Sequence, residues 1–230
     1  MDKDLTGDPY GASIPVQKAL SESGDVLLAY KMNDQPLPVD HGYPLRVVVP
    51  GTVGARNVKW LSRIIVSKEE SSSFWQQKDY KVFSPGVTME SANFSLVSAI
   101  QEMPVQSAIC EPKSGSSLST DDGSVHVKGY AYSGGGRNVR RVDVTLDDGK
   151  TWHEATLLQG QDQAYNHSWA WTLWEADLPL DKVAKKDKIR ISCKAVDSSA
   201  NTQPENVENV WNFRGLGNNA YHSVEVSLNN

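Results

Sequence analysis

Apolar and polar residues alternate with a period of two through the second half of the chain, and this pattern limits the folds open to it. The alternation runs through five short stretches, at residues 125–132, 139–146, 168–174, 189–196 and 224–228. Glycine, aspartate and asparagine separate these stretches, and such residues favour tight turns. A period of two places every second side chain on one face of a β-strand. The pattern therefore predicts an all-β sandwich.

A turn signal joins two of the alternating stretches. Asp147, Asp148 and Gly149 lie between Leu146 and Trp152, and an Asp-Gly pair in this position is typical of a β-hairpin. This half of the chain is also rich in tryptophan, and we expect these rings to pack in the core and at the corners of the sandwich. The residues concerned are Trp152, Trp169, Trp171, Trp174 and Trp211.

The first half contains a basic stretch, although the chain as a whole has a formal charge of −5. Residues 41–68 include no aspartate or glutamate. Val47, Val48 and Val49 precede a Pro50-Gly51 pair, which predicts a short buried strand and a turn. A local positive field beside small residues suggests an anion site, whereas a strand and an exposed basic face also occur in proteins that bind nothing. The basic residues are Arg46, Arg56, Lys59, Arg63 and Lys68.

Length and composition exclude several other classes of protein. The chain has 230 residues, enough for one large domain or two small ones. Its acidic charge gives no indication of a nucleic-acid partner, and no apolar run is long enough to span a membrane. The polar N-terminus has no secretory or transit signal. Cys110 and Cys193 are too few and too far apart for a metal-binding motif, so we expect two buried free thiols, with a single disulfide as the alternative.

Three segments of the first half have simple structural interpretations. Residues 14–20 predict a short helix with a proline in its first turn. Residues 26–30 and 62–67 are rich in apolar and β-branched side chains and predict strands. Residues 85–104 have no strong periodicity, and we interpret them as a connecting arm.

The glycine-rich run at residues 134–136 is followed by Arg137. No helix start follows it, so it does not predict a phosphate-binding loop. We interpret it as a loop between strands, with Arg137 facing solvent or the first domain. The histidines of this half lie singly in strand or turn contexts and do not predict a metal site; they are His126, His153 and His167.

Several longer motifs carry more information than composition does. The first half contains YGASIP, then LLAYKMNDQPLPVDHGYP, and then HGYPLRVVVPGTVGARNVKWL at residues 41–61. The second half contains KGYAYSGGGRNVRRVDVTLDDGKTW. These motifs resemble the sulfite oxidase family, the eukaryotic molybdopterin oxidoreductases that also include plant nitrate reductase. The resemblance implies a mainly β fold with some α/β structure. Residues 1–104 would form the C-terminal half of a molybdopterin-binding domain, and residues 105–230 an immunoglobulin-like dimerisation domain.

The resemblance also implies two groups of site residues. Tyr80, in a W-x-x-x-D-Y motif, and Arg214, in a W-N-x-R-G motif, would face the substrate. The molybdenum-ligating cysteine of the family would lie upstream, and neither Cys110 nor Cys193 matches its position, so no metal ligand is assigned. The other group would hold the molybdenum cofactor, Mo-molybdopterin, and consists of Asp2, His41, Arg46, Arg56, Asn57, Val58 and Lys59.

The two substrate-facing residues suit an oxyanion chemically. A tyrosine hydroxyl can donate a hydrogen bond to a developing oxyanion, and the planar fork of Arg214 donates parallel hydrogen bonds to a tetrahedral oxyanion. Plant nitrate reductases usually have a non-basic residue at this position, so Arg214 favours sulfite over nitrate. The chain departs from the family pattern at residues 216–218 and 221–223, which concern the rim of the pocket and the dimer surface.

The resemblance implies part of a sulfite oxidase, which converts sulfite to sulfate by molybdenum-dependent oxygen-atom transfer. The alternatives are a non-catalytic dimerising fragment and a nitrate reductase fragment. The resemblance further implies a homodimer through the C-terminal domain, a mitochondrial intermembrane-space location, and cytochrome c as an acceptor in the full-length enzyme. Haem is expected only where an upstream cytochrome b5-like domain exists. We expect the isolated chain to be inactive, with Arg46, Arg56 and Lys59 forming a solvent-exposed half-site.

Overall fold

The computed structural model describes residues 3, 7–181, 183 and 186–229, and the chain divides into two compact units. The first unit contains the chain up to Met103 together with Asn212–Gly217. The second unit contains Pro104–Trp211 and the residues from Asn218 onward. Asp2, which the resemblance implies as a cofactor contact, lies outside the described residues.

Short elements joined by long irregular segments build the first unit. Its helices are α1 (Val16–Leu20) and α2 (Phe74–Gln77). Its strands are β1 (Leu27–Ala29), β2 (Lys31–Met32), β3 (Gln35–Pro36) and β4 (Arg46–Val48). Single 3-10 turns cover Glu22–Gly24, Val39–His41, Gly54–Arg56 and Phe94–Leu96. The longest helix in the described part of the chain has 5 residues, whereas a membrane-spanning helix needs about 20.

Strand β4 confirms the strand that the three valines predict. It pairs antiparallel with β1, with Val47 opposite Leu28, and Val49 directly after it is 1% exposed. The turn predicted after the strand also forms, because Gly51 adopts a positive φ of 76° that glycine tolerates best. The hydroxyl of Thr52 closes the turn by donating to the carbonyl oxygen of Val49 at 2.8 Å.

The strand predicted at residues 62–67 is wrong. Within the described part of the chain, this segment pairs with no other strand. Its apolar side chains Ile64, Ile65 and Val66 are 65%, 71% and 88% exposed. β-Branched residues favour an extended backbone, but a strand also needs a hydrogen-bonding neighbour, and none of the residues that the structure describes pairs with this segment.

Strands make up most of the second unit. They are β5 (Gln106–Glu111), β6 (Ser117–Ser119), β7 (Ser124–Tyr132), β8 (Val139–Thr145), β9 (His153–Glu154), β10 (Thr156–Gln159), β11 (Thr172–Pro179), β12 (Lys188–Asp197) and β13 (His222–Asn229). A 3-10 turn covers Val207–Asn209. One sheet has four strands in the order β10-β11-β7-β5, and the other has five in the order β6-β13-β12-β8-β9. Strands β6 and β13 run parallel, and the remaining pairs are antiparallel.

The two sheets enclose one hydrophobic core, which confirms the predicted β-sandwich. Along β7 the inward residues Val125, Val127 and Ala131 are at most 5% exposed, as the period of two requires. Trp174 is 1% exposed and packs in this core. The role expected for the tryptophans is wrong for Trp171 and Trp211, which are 57% and 48% exposed.

The predicted hairpin is confirmed. Strands β8 and β9 pair antiparallel, with Val144 opposite His153. The turn between them contains two residues with positive φ, Asp148 at 58° and Gly149 at 81°. Aspartate and glycine tolerate this backbone conformation, which explains the sequence signal.

The strand expected at residues 168–174 begins later, at Thr172. The side chain of Gln163 holds the preceding backbone: its Oε1 accepts from the N–H of Ala170 at 2.8 Å, and its Nε2 donates to the carbonyl oxygen at 3.1 Å. A side chain that satisfies both backbone groups competes with strand pairing.

Arg137 is bound to a buried carboxylate of the second unit and is only partly exposed, whereas the sequence interpretation gave it no partner within this unit. Its Nε donates to Oδ2 of Asp197 at 3.1 Å. The side chain of Asp197 is 0% exposed, and it also accepts hydrogen bonds from Ser133 at 2.8 Å and from the Asn201 side chain at 2.9 Å. The loop is therefore anchored inside the second unit.

The two cysteines differ from each other. Both are free thiols, as we expect, but Cys110 is exposed and corrects the prediction that both are buried. Cys110 lies at an irregularity in the pairing of β5 with β7, where a side chain can turn outward. Cys193 is 0% exposed, and burial raises its pKa to about 12.

Candidate functional site

The basic loop, which we define as residues 41–59, brings several predicted cofactor residues together. Nη1 of Arg46 donates to the carbonyl oxygen of His41 at 3.0 Å, and Nη2 donates to the carbonyl oxygen of Asn57 at 3.5 Å. The guanidinium group of Arg46 thus connects the beginning of the loop to its end. The group is held in one position by the backbone around it.

Lys59 and Val58 complete this arrangement. The carbonyl oxygen of Val58 accepts from the N–H of Val47 at 2.8 Å, and Nζ of Lys59 donates to the carbonyl oxygen of Asp40 at 2.8 Å. A Cβ atom at Gly42 would lie 3.0 Å from Cβ of Lys59 and 3.2 Å from Cβ of Arg46. Glycine at this position, with φ of 110°, therefore lets the two cationic residues approach each other.

Asn57 shapes the basic loop from inside. Its Oδ1 accepts from the N–H of Val49 at 2.7 Å, and its Nδ2 donates to the carbonyl oxygen of Val53 at 3.2 Å. Both ends of the amide are therefore used by the backbone of the loop itself. Asn57 holds the loop in shape, and its side chain is not free to act as a ligand donor in this arrangement.

Arg56 departs from the exposed half-site that the sequence predicts. It is 2% exposed, because Nε donates to the carbonyl oxygen of Ile100 at 2.8 Å and Nη1 donates to Oε1 of Gln76. Burial lowers the pKa of its guanidinium group, but arginine stays charged at physiological pH. The exposed half-site is therefore wrong for Arg56, whereas Lys59 is exposed as expected and Arg46 is partly exposed.

Gln76 organises the surroundings of Arg56 and is 0% exposed. Its Oε1 accepts from Arg56 and from the N–H of Ser13, the latter at 3.2 Å. Its Nε2 donates to a carboxylate oxygen of Glu70 at 2.8 Å. One buried amide therefore orients the guanidinium group and connects it to an acidic side chain.

Tyr10 adds a neutral hydroxyl near Arg56. The hydroxyl donates to the carbonyl oxygen of Ala55 at 2.6 Å, and the ring lies 5.5 Å from the ring of Trp75, measured between centroids. Burial raises the pKa of Tyr10 to about 12; the charge of Tyr80 adds to this shift and that of Arg56 opposes it. Tyr10 therefore stays protonated at neutral pH and lies within electrostatic reach of both residues.

Asp79 links the two residues predicted to face the substrate. Its Oδ1 accepts from the backbone N–H of Tyr80 at 2.8 Å and from Nη2 of Arg214. The backbone of Tyr80 has a φ of 41°, in the left-handed region that tyrosine rarely adopts. Backbone strain of this kind is concentrated at functional sites. Asp79 thus contacts both the backbone of Tyr80 and the guanidinium group of Arg214.

The W-N-x-R-G motif folds into a turn that positions Arg214. Oδ1 of Asn212 accepts from the N–H of Arg214 at 3.1 Å, and its Nδ2 donates to the carbonyl oxygen of Leu216 at 2.8 Å. Gly215 has a φ of 67°, and its N–H donates to the carbonyl oxygen of Asn212 at 2.9 Å. The asparagine and the glycine of the motif therefore build the turn that carries the arginine.

Three arginines of the first unit keep one buried nitrogen without a partner in the described part of the chain: Nε of Arg46, Nη2 of Arg56 and Nε of Arg214. A buried donor without an acceptor costs about 1–3 kcal/mol, and native proteins contain few such groups. Guanidinium groups that are fixed at some nitrogens and open at others suit phosphate and other oxyanions. The residues therefore fit a phosphate-bearing cofactor and an oxyanion substrate.

Sequence reasoning did not single out Tyr10, Gln76 or Asp79. All three lie inside motifs that identify the family, Tyr10 in YGASIP and the other two in W-x-x-x-D-Y. The motif showed that these positions belong together, but their individual contacts depend on chain segments far apart in sequence. No cluster of three or more histidine, cysteine, aspartate or glutamate side chains suited to a metal occurs in the described ranges.

Replacing Gln76 with leucine should destabilise the first unit by about 2 kcal/mol, because the buried N–H groups of Arg56 and Ser13 lose their acceptor. Urea denaturation of the purified chain measures this change. The matched control is Gln77→Leu, on the same helix. Gln77 is partly exposed, and its side-chain amide donates hydrogen bonds to Glu70 and to the carbonyl oxygen of Ser71. Equal effects of the two substitutions would contradict the central position that we give to Gln76.

Comparison with known proteins places these features in a family. The profile of the Mo-co oxidoreductase dimerisation domain matches residues 97–229, and that of the oxidoreductase molybdopterin-binding domain matches residues 1–75. Mitochondrial sulfite oxidase from Drosophila melanogaster is 54% identical, over 99% of this chain and 40% of its own length. The human mitochondrial sulfite oxidase is 53% identical, over 98% and 41%.

Two further relatives are more distant. NADH nitrate reductase 2 from Phaseolus vulgaris is 39% identical, over 96% of this chain and 26% of its own length. The crystal structure of the sulfane dehydrogenase SoxCD from Paracoccus pantotrophus matches with a TM-score of 0.69 and 28% identity, over 96% of this chain and 52% of the other. The chain thus spans about two fifths of the length of the fly and human sulfite oxidases. With both domain profiles matched and a mainly β fold observed, the chain belongs to the sulfite oxidase family of molybdopterin oxidoreductases.

Proposed function

We propose that this chain is part of a molybdenum-dependent sulfite oxidase and that its first unit binds the anionic groups of the reaction. The observation that carries the proposal is the set of three fixed arginines, Arg46, Arg56 and Arg214, each with one buried nitrogen that has no hydrogen-bond partner among the described residues. Such nitrogens donate hydrogen bonds, and the oxygens of oxyanions are the acceptors that suit them best. Both the phosphate of the cofactor and sulfite are oxyanions.

In this proposal the basic loop binds the cofactor. His41, Arg46 and Lys59 contact its pterin and phosphate, and Asn57 and Val58 keep the loop in the required shape. Asp2 stays a proposed contact outside the described residues. When bound, the cofactor would supply the oxygen-atom transfer and two-electron redox chemistry of the reaction.

We assign Arg56 a different role from the one that the resemblance implies. Its contacts are with Gln76 and Ile100, and its charge acts on Tyr10, which Tyr80 and Asp79 also influence. We therefore place Arg56 with the substrate-facing residues as well as beside the cofactor loop. Its Nη2, which is buried and has no hydrogen-bond partner among the described residues, is a second positively charged donor on that side of the site.

The substrate-facing residues bind and orient sulfite. Arg214 donates charge-assisted hydrogen bonds to a sulfite oxygen, and the hydroxyl of Tyr80 donates a further hydrogen bond. Asp79 fixes Arg214 and offsets part of its charge, which moderates the attraction for the dianionic product sulfate and favours its release.

The rival function is nitrate reduction, because a nitrate reductase is among the relatives at 39% identity. We expect a holoenzyme that contains this chain and a complete molybdopterin-binding domain to reduce ferricyanide with sulfite as donor, and to show no nitrate reduction with reduced viologen. Both reactions are measured by absorbance on the same preparation, with molybdenum content as the control for loading. Nitrate reduction without sulfite oxidation would reverse the assignment.

The relatives support further proposals about the whole protein. We propose that residues 1–104 and 105–230 form the two domains and that the second domain joins two copies of the chain, as the description of its family indicates. The fly, mouse and human relatives are named as mitochondrial, and we propose the intermembrane space as the location. There cytochrome c would accept the electrons from the full-length enzyme.

A further inference from the structure

The segment that carries Tyr80 is held by hydrogen bonds at both of its ends. We define this tyrosine segment as residues 76–80. At one end, the side chain of Gln76 accepts a hydrogen bond from Nη1 of Arg56. At the other end, the carbonyl oxygen of Tyr80 accepts from the backbone N–H of Ile100 at 2.9 Å.

Arg56 connects these two ends to each other. While its Nη1 donates to Gln76, its Nε donates to the carbonyl oxygen of Ile100 at 2.8 Å. The contacts therefore form a closed ring, which runs from Arg56 through Gln76, along the tyrosine segment and back through the backbone of Ile100. The nitrogens of a guanidinium group lie in one rigid plane, so Arg56 fixes the separation of the two ends.

The loop that carries Arg56 is itself anchored to the backbone next to Ile100. The N–H of Arg56 donates to the carbonyl oxygen of Val53 at 3.0 Å, and the N–H of Val53 donates to the carbonyl oxygen of Gln101 at 2.8 Å. The hydroxyl of Tyr10 donates to the carbonyl oxygen of Ala55 at 2.6 Å. Arg56 is 2% exposed, and hydrogen bonds in a buried environment are stronger than those in water.

Tyr80 needs this support because its backbone is strained. Its φ of 41° lies in the left-handed region, and a strained conformation persists only where the surrounding contacts determine it. Both backbone groups of Tyr80 are used: the N–H donates to Oδ1 of Asp79 at 2.8 Å, and the carbonyl oxygen accepts from Ile100. A change at either end of the tyrosine segment therefore lets the backbone relax and moves the phenol.

We propose that Arg56 is a positioning residue that holds Tyr80 in place through Gln76 and Ile100, which rests on the substrate contact of Tyr80 stated under Proposed function. This role is separate from the charge of Arg56, because it depends on where the guanidinium group donates its hydrogen bonds. A displacement of about 1 Å at a catalytic group can lower the rate about 100-fold. Arg56 also belongs to the basic loop, so the position of Tyr80 depends on the conformation of that loop.

Fluorine NMR of the 230-residue chain tests the position of Tyr80 without sulfite or cofactor. The chain contains eight tyrosines, which 3-fluorotyrosine labels, and Tyr80→Phe identifies the resonance of Tyr80. We expect Gln76→Leu to shift or broaden this resonance and to leave those of Tyr130 and Tyr221 in the second unit unchanged. The matched control, Gln77→Leu, should leave the Tyr80 resonance in place.

A double-mutant cycle in a holoenzyme that contains this chain tests whether Gln76 acts through Tyr80. With Tyr80 present, Gln76→Leu should lower kcat/KM for sulfite, per bound molybdenum, about 10-fold. In the Tyr80→Phe background the same substitution should lower it at most about 2-fold, because the hydroxyl that it positions is absent. A purely structural effect of Gln76→Leu would be equal in the two backgrounds.

The outcomes separate this proposal from the proposed function. A Tyr80 resonance that Gln76→Leu leaves unchanged, or equal losses of kcat/KM in the two backgrounds, overturns the positioning role. A loaded holoenzyme without sulfite oxidation overturns the proposed function, and the fluorine spectra then decide whether Arg56 positions Tyr80. Circular dichroism checks folding, and Arg56→Lys replaces Gln76→Leu in the NMR experiment if that variant is unfolded, because lysine has a single nitrogen in place of the fork that reaches both acceptors.

Discussion

We expect the Arg214→Met variant of a holoenzyme containing this chain to show a Michaelis constant for sulfite about 100-fold above that of the wild type. The substitution removes the charge-assisted donors that we place on the substrate. It also leaves the carboxylate of Asp79 without its cationic partner, next to the position that we propose for a second anion. The loss of attraction and the new repulsion both raise the Michaelis constant for sulfite.

Two further variants separate this effect from a general disturbance. Arg214→Lys keeps the charge but loses the planar fork, so its Michaelis constant should lie between those of the wild type and the methionine variant. Arg63→Met removes an exposed arginine of the same unit and should leave the constant unchanged. The assignment of Arg214 fails if the Michaelis constant of Arg214→Met equals that of the wild type, measured by steady-state kinetics at several sulfite concentrations.

Replacing Asp197 with alanine should lower the free energy of unfolding of the second unit by about 4 kcal/mol, because the partly exposed Arg137 loses an ion pair with a buried carboxylate, and the side chains of Ser133 and Asn201 lose their acceptor. Asp197 also accepts hydrogen bonds from the backbone N–H groups of Ser199 at 2.9 Å and Asn201 at 3.0 Å. Its removal therefore leaves several donors unpaired at once. Urea unfolding followed by tryptophan fluorescence measures the change, with Asp181→Ala, at a surface turn, as the control.

The same carboxylate makes stability depend on pH. Burial by itself raises the pKa of Asp197, but hydrogen bonds from Asn201, Ser133 and Ser199 outweigh burial and hold the pKa below its usual range. A depressed pKa in the folded state stabilises the protein fully above the unfolded pKa of about 4, and this stabilisation is lost as the pH falls through the folded value. Asp197→Asn should lack this part of the acid dependence. An unchanged acid profile in that variant would contradict the effect.

The second unit was the more predictable half of the fold because its pattern is local. The alternation and the turn at Asp147 to Gly149 depend on residues near one another in sequence. The observed bounds of four strands therefore lie close to the predicted ones; these are β7, β8, β12 and β13. The start of β11 was misplaced because a single side chain, that of Gln163, satisfies the backbone of Ala170. No periodicity reports such a contact.

The first unit was predictable in its motifs but not in its contacts. Sequence resemblance pointed to Arg46, Tyr80 and Arg214, and these residues prove to be held in place by loop geometry. The burial of Arg56 depends on a carbonyl group 44 residues away, at Ile100. A basic residue in a basic stretch looks exposed until such a distant acceptor is known.

The exposed Ile64-Ile65-Val66 run has a consequence for solutions of this chain. Three consecutive β-branched residues with open backbone groups form a template to which the same run in another molecule can add as a strand. Arg63 and Lys68 flank the run and act as gatekeepers against amyloid-like stacking through their like charges. Conditions that screen these charges, above all high salt, therefore favour aggregation through this segment.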